Sequence, residues 1–251
     1  MSGLSLAGTG LTITGGSGTA ALEIGTTTII GGTTGRVLYD NGGVLGETTI
    51  ASGLFGYKLS GTVPTTASTG LNTWVNQDGA TVADTAAGVT ISAASPNLKQ
   101  FCGRVKAAPT APYTITTLQT LTVYNVDYSY NALGFYDGTN KMQFISIIPL
   151  PTGGPTLYVQ GWNTPTTYTT NFFSGAGAFS QQAWFQISDD GTSVYFRYSN
   201  DGVNFMTAYS ETKASGFLGA SGYSNVGFFL GRNTSGTPTP MSLTLMDWVV
   251  T

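Results

Sequence analysis

Residues able to do chemistry are few in this chain. Among 251 residues there is no histidine and only one cysteine. Without an imidazole, Ser-His-Asp and Cys-His nucleophilic relays cannot be assembled, and the commonest metal ligand is missing. The single thiol, Cys102, excludes an intrachain disulfide and any paired-cysteine zinc or redox site. It falls in an apolar strand pattern, Phe101-Cys102-Gly103-Arg104-Val105, which points to a buried, inert thiol. Glycoside hydrolysis needs two carboxylates, about 5–5.5 Å apart for retention or roughly 6.5–9.5 Å for inversion. The glutamates are Glu23, Glu47 and Glu211, and the first two lie in a glycine-rich opening segment. Asp189, Asp190 and Asp201 sit in Asp-Gly turn sequences, where aspartate bonds its own backbone. The expectation is a chain without catalytic activity.

Recognition chemistry has more material. Sugar rings present apolar faces bordered by hydroxyls, so a binder needs flat aromatics beside amides or carboxylates. The stretch from Pro151 to Ser180 reads as the longest irregular segment. It carries Tyr158, Trp162, Asn163, Tyr168, Asn171, Phe172 and Phe173. Tyr223 with Asn225, and Asn233 in the 231–240 loop, extend the candidate set. Loops on a rigid scaffold are where recognition residues usually lie. Strand alternation assigns about half of these rings to a core instead.

The elements that must position them are strands. Charged residues make up 8% of the chain, against about 25% in average proteins, yet 41% are hydrophobic, which excludes charge-driven disorder. A net charge of −3 with nine scattered cations argues against nucleic acid and anionic membrane as partners. No apolar run is long enough for a membrane-spanning helix. The start, Met1-Ser2-Gly3-Leu4-Ser5, lacks a basic and apolar leader, so synthesis in a cytoplasm is expected. From residue 66 onward, runs rich in Val, Ile, Thr, Tyr and Phe alternate with turn clusters. Strands are expected at 71–76, 88–93, 98–106, 112–124, 131–136, 141–149, 156–161, 168–174, 183–188, 193–199, 204–210, 225–231 and 241–250. The only helical candidate is a short turn near Lys213–Leu218. Many short strands with no long helical period predict an all-β, antiparallel two-sheet sandwich over 66–251.

Residues 1–65 differ. They hold 16 of the 35 glycines. Gly3-Leu4-Ser5-Leu6-Ala7-Gly8-Thr9 aligns with Gly10-Leu11-Thr12-Ile13-Thr14-Gly15-Gly16, and each unit is an alternating strand closed by glycine. A looser third unit runs through Leu22, Ile24, Ile29 and Ile30. Asn41-Gly42 between two apolar runs signals a hairpin. Strands this short cannot form a core alone. Copies of the chain are therefore expected to interleave in a Gly/Thr-rich β stem, or to dock together onto a larger body. That stem would bury Leu4, Leu6, Leu11, Ile13, Ile24, Ile30, Leu38 and Leu45, with Arg36 and Glu47 placed to pair between subunits.

Ala183 through Phe205, with Val226-Gly227-Phe228-Phe229-Leu230 and Leu243-Thr244-Leu245-Met246-Asp247-Trp248, resembles the strand order of concanavalin-A-like (LamG-type) jelly rolls. Gly32 through Glu47 resembles a segment of tail-fibre and other virion proteins of tailed bacteriophages. Leu71–Gln77 and Thr81–Thr85 resemble the start of the sandwich in such proteins. The resemblance implies a virion protein, released by lysis, forming a homotrimeric fibre or spike. Residues 1–65 would attach and trimerise, and 66–251 would meet host-surface polysaccharide. A capsid decoration protein or head fibre with a purely structural sandwich is the alternative. Jelly-roll glycosidases carry a Glu-x-Asp-x-x-Glu strand that is absent here. Some relatives bind calcium at the sandwich rim, which makes Asp137, Asp189, Asp190 and Asp201 candidates, though capped turns without metal are the expectation, and no cofactor is implied.

Overall fold

A computed structural model describes residues 4–7, 10–13, 36–41, 44–49, 62–94, 100–123, 129–150, 154–176, 182–219, 221–232 and 240–251. The chain divides into two compact units, Met1–Phe55 and Gly56–Thr251. In the first unit β1 (Leu4–Ala7) pairs antiparallel with β2 (Gly10–Ile13), Leu4 opposite Ile13 and Leu6 opposite Leu11. β3 (Arg36–Asn41) pairs with β4 (Val44–Thr49). Asn41 faces Val44 as the last pair, so the connection is Gly42-Gly43 rather than Asn41-Gly42. In the register Arg36 stands opposite Thr49, Leu38 opposite Glu47 and Asp40 opposite Leu45. The third unit, with Ile24 and Ile30, lies outside the described residues.

The second unit opens with a single helical turn, α1 (Thr66–Thr69), that the sequence did not suggest. Thr65 caps it: its side chain accepts from the Ser68 N–H while the Ser68 hydroxyl accepts from the Thr65 N–H. The strands follow: β5 (Thr73–Val75), β6 (Thr81–Thr85), β7 (Gly88–Ala94), β8 (Gln100–Ala107), β9 (Tyr113–Val123), β10 (Tyr130–Tyr136), β11 (Met142–Leu150), β12 (Gly154–Thr164), β13 (Thr167–Ala176), β14 (Gln182–Asp189), β15 (Ser193–Ser199), β16 (Met206–Thr212), β17 (Asn225–Arg232) and β18 (Pro240–Val250). A 3-10 turn, Lys213–Ser215, occupies the expected helical position. The strands form two seven-stranded antiparallel sheets, in the orders β13-β12-β11-β10-β17-β8-β5 and β16-β15-β14-β9-β18-β7-β6. This is the antiparallel jelly-roll sandwich expected from the sequence. β6 went unrecognised because an exposed edge strand needs no apolar alternation.

Alternation builds the main core between the sheets. Ile115, Ile187 and Phe196 from the second sheet meet Leu133, Ile145 and Leu157 from the first. Val89, Ile91, Leu243 and Leu245 continue it against Phe228 and Leu230. The other face of the first sheet is buried too. Phe101, Tyr130, Met142, Phe144, Trp162 and Phe229 form a separate cluster there, each fully buried. Phe144 belongs to this cluster while its neighbour Ile145 belongs to the main core, which is the signature of a strand buried on both faces. The rings interlock: Phe101 lies 4.5 Å from Phe144, 4.8 Å from Trp162 and 5.1 Å from Tyr130. Gly103 permits this closeness, since a Cβ there would overlap the Phe229 ring.

Two outcomes follow. Phe101→Ala should destabilise the sandwich by about 3–5 kcal/mol in denaturant titration, because it empties the centre of the ring cluster. Cys102 is fully buried, and desolvation pushes its thiol up to about 11, so the neutral form dominates near pH 8. The native chain should resist iodoacetamide at that pH and react fully once unfolded, as read by mass spectrometry.

Candidate binding faces

The segment expected to be irregular is a long hairpin, β12 against β13. Shifts of register between Val159 and Gln160, Gly161 and Trp162, and Trp162 and Thr164 bend it. On β12, Tyr158, Gln160 and Trp162 alternate along the outer face, paired with Ser174, Asn171 and Tyr168 on β13. Trp162 is fully buried and belongs to the ring cluster, so it is a core residue and not a surface platform. Its indole meets Phe101 edge-on and carries Tyr168 at 5.7 Å, also edge-on. Trp162 Nε1 donates to Gln160 Oε1 at 3.3 Å, and Gln160 Nε2 donates to Asn171 Oδ1 at 2.8 Å. The consequence is a supported surface: Tyr168 is 44% exposed, Tyr158 is half-buried, and Asn163 and Asn171 are exposed.

Two other candidates turn inward. Phe172 sits at a bulge, stacks on Tyr209 at 5.0 Å and meets Phe217 edge-on at 5.7 Å, closing the sandwich edge against the main core. Tyr223 is buried against Phe135 and donates its hydroxyl to Glu211 Oε1 at 2.6 Å. Neither presents a face to a ligand in this structure. Glu211 also accepts from Tyr209 at 3.0 Å and from the Phe217 N–H at 3.0 Å. Its carboxylate thus ties β16 to the segment preceding β17. Burial first, then the bond to Glu211, pushes the Tyr209 phenol up to about 12. The same causes push Tyr223 up further. Glu23 and Asn233 lie outside the described residues, and Glu47 lies on β4.

The four aspartates considered for calcium are engaged by turns. Asp137 Oδ1 accepts from the Thr139, Asn140 and Lys141 N–H groups. Asp189 accepts from the Gly191 N–H and pairs with Lys213 at 2.6 Å. Asp190 Oδ1 accepts from the Thr192 and Ser193 N–H groups. Asp201 accepts from Val203, from both Asn204 nitrogens and from the Ser199 hydroxyl, and these bonds hold its carboxyl far below the usual range. Among the described residues no three His, Cys, Asp or Glu side chains are grouped to hold a metal.

A feature the sequence reading missed lies on the outer face of the second sheet. Thr114, Ser188 and Tyr195 form one cross-strand row, and Thr116, Gln186 and Arg197 form the next. Both rows point away from the core to which Ile115, Ile187 and Phe196 belong. Together with Pro112, Tyr113, Asp189, Asp190 and Thr251, three of these residues and Arg197 border a recess of about 490 Å³. The available signal was the period of two: polar residues with one aromatic and one cation at the outward positions of adjoining strands.

No protein-family model matches the chain, and no curated protein matches it. Solved structures do. A legume lectin-like domain from Entamoeba histolytica is 9% identical, with a TM-score of 0.48, covering 71% of this chain and 88% of its own. The carbohydrate binding module CBM66 from Bacillus subtilis is 11% identical, with a TM-score of 0.44, covering 70% and 94%. The GH43 protein BlXynB from Bacillus licheniformis is 11% identical, with a TM-score of 0.46, and the match covers 64% of this chain but only 32% of that one. The assignment of the fold rests on the strand order described above.

Tyr209 gives a test by pH. Its folded phenol at about 12 exceeds the ordinary 10, so the neutral form is favoured by folding. That contribution is intact below pH 10 and is lost as pH rises towards 12. The denaturation midpoint should fall across this window, and Tyr209→Phe should show a shallower fall.

Proposed function

We propose that this chain is the glycan-recognising sandwich of a bacteriophage fibre or spike, assembled as a homotrimer and made in the host cytoplasm. The observation that carries glycan recognition is the supported ring of Tyr168. It is exposed, backed by a buried indole, and on the same outer hairpin face as Tyr158 and the Asn171 amide. A flat ring fixed beside a placed amide suits a sugar's apolar face and its flanking hydroxyls. Binding is favoured over hydrolysis because Glu211 is committed to two tyrosines and a backbone N–H.

The virion context draws on the resemblance of Gly32–Glu47 to fibre proteins. It is supported by the β3–β4 hairpin, whose strands Arg36–Asn41 and Val44–Thr49 overlap that segment. The β1–β2 register sets Leu4 opposite Ile13 and Leu6 opposite Leu11, an apolar pairing that suits cover by other copies of the chain. Three weak sites on one rigid unit would gain avidity by linkage rather than by new contacts.

The full chain should bind a subset of bacterial surface polysaccharides on a glycan array. Tyr168→Ala should weaken that binding by about ten-fold per site, roughly the 1.4 kcal/mol of one ring contact. Binding to no polysaccharide, in a chain that still assembles on particles, would favour the decoration-protein alternative. Sedimentation of a chain beginning at residue 56 should show a folded monomer where the full chain is a trimer; a trimer in both would remove the stem from the assembly role.

A further inference from the structure

We infer that the recess bordered by Tyr195, Arg197 and Asp190 is a second sugar site, built for a neutral ring that presents two adjacent hydroxyls. This goes beyond the hairpin face and stands on different residues; it rests on the glycan reading only for the class of ligand.

Arg197 is fixed but not used up. Its Nε donates to Thr207 Oγ1 at 3.3 Å, and its Nη1 donates to Gln186 Oε1 at 3.0 Å and to Ser188 Oγ at 2.9 Å. A guanidinium has five N–H donors, and these bonds engage three. Both hydrogens of Nη2 are without a partner among the described residues. All three partners are neutral, and the ion pairs among the described residues are Lys213–Asp189 and Arg232–Asp78. The group is therefore held in one orientation with part of its donor fork available.

Asp190 supplies the complementary acceptor. An ionised carboxylate offers about four lone-pair sites. Thr192, Ser193 and the Tyr195 hydroxyl engage three of them, and the side chain is exposed. The two backbone N–H bonds, first among the causes, hold this carboxyl below its usual range and keep it ionised. Tyr195 links the two charges: its hydroxyl donates to Asp190 Oδ2 at 2.9 Å, and the Arg197 guanidinium carbon lies 4.8 Å from its ring centre.

Donors on one side and an acceptor on the other match hydroxyls, each of which both donates and accepts. One hydroxyl can accept from Nη2 while its neighbour donates to Asp190. Charge selects among ligands. Asp189 is paired with Lys213, which leaves Arg197 and Asp190 as the charged side chains without an ion pair at the recess. A neutral sugar can use the donor and the acceptor together without setting a like charge beside either.

The test is an amide-resolved NMR titration of the full chain with the methyl glycosides of mannose, galactose and glucose, and with glucuronate as the charged comparison. At least one neutral glycoside should shift the Thr114, Ser188 and Tyr195 amides, with a response to glucuronate about ten-fold weaker. Arg197→Lys keeps the charge and removes the fork, and should weaken binding by about ten-fold. Tyr195→Phe keeps the ring but releases Asp190; it should weaken binding several-fold and serves if Arg197→Lys does not fold. No shift at the recess with any neutral glycoside, or equal shifts in the variants and the parent, overturns the site. Shifts confined to β12–β13 would sink this inference and leave the hairpin reading standing; shifts at the recess alone would do the reverse.

Discussion

Burial of the first sheet on both faces is the constraint on which the rest depends. A jelly roll with one solvated face per sheet could tolerate polar residues at half its strand positions. Here β10, β11 and β17 have no solvated face: Ile145 faces the main core while Phe144 faces the ring cluster, and the polar side chains of Asn131, Gln143 and Ser146 are buried with them. Each buried ring contributes about 1.5–3 kcal/mol by removal from water. The cluster also fixes geometry. Phe101, Phe144 and Trp162 can meet within 6.4 Å only if the bulged end of β12 bends towards β8. The Phe101 N–H donates to the Pro165 carbonyl at the turn between β12 and β13, which pins that bend. The tip of the hairpin is thereby anchored across the sheet rather than left as a loop.

That anchoring decides what the surface can do. A ring on a mobile loop loses rotamer and backbone freedom when it binds; a ring braced by a buried indole has already lost it. Tyr168 leans edge-on against Trp162, and Trp162 in turn is held through Gln160 to Asn171. The buried tryptophan thus acts on the surface through its neighbours. A similar logic holds on the other sheet, where Gln186, Ser188 and Thr207 orient Arg197.

Much of the fold was legible from residue order because β-strands display their burial directly. Period-two alternation in Val194, Phe196 and Tyr198, and Asp-Gly turns at Asp137, Asp190 and Asp201, located strands to within a few residues. The opening Leu4–Ala7 and Gly10–Ile13 repeat pairs as its alternation implies. The misreadings have physical causes. A bulge changes the face of later residues without changing composition, so Phe172 reads as a surface ring and is not; Trp162 keeps the face of Tyr158 and Gln160 and is buried because the ring cluster covers that face. Tyr223 lies outside any strand and is drawn inward by the Glu211 carboxylate, a partner twelve positions away. α1 is a single turn, too short to show a helical period.

What separates a surface group from a structural one in this sandwich is where its hydrogen bonds come from and whether it stays exposed. Asp137 and Asp201 look like Asp190 in sequence. Asp201 accepts four bonds, all from within its own turn, and Asp137 closes its turn through one oxygen. Asp190 differs because one of its bonds comes from Tyr195, a residue on the outward row that also bears Ser188. The turn therefore reaches into a recess instead of closing on itself. Arg197 differs from Arg232 in the same sense. Arg232 is buried, bonded to two backbone carbonyls and to Asp78, and so holds the fold together. Arg197 is tethered only by neutral acceptors at the surface, and tethering of that kind orients a cation while leaving it available for a partner that is not part of the chain.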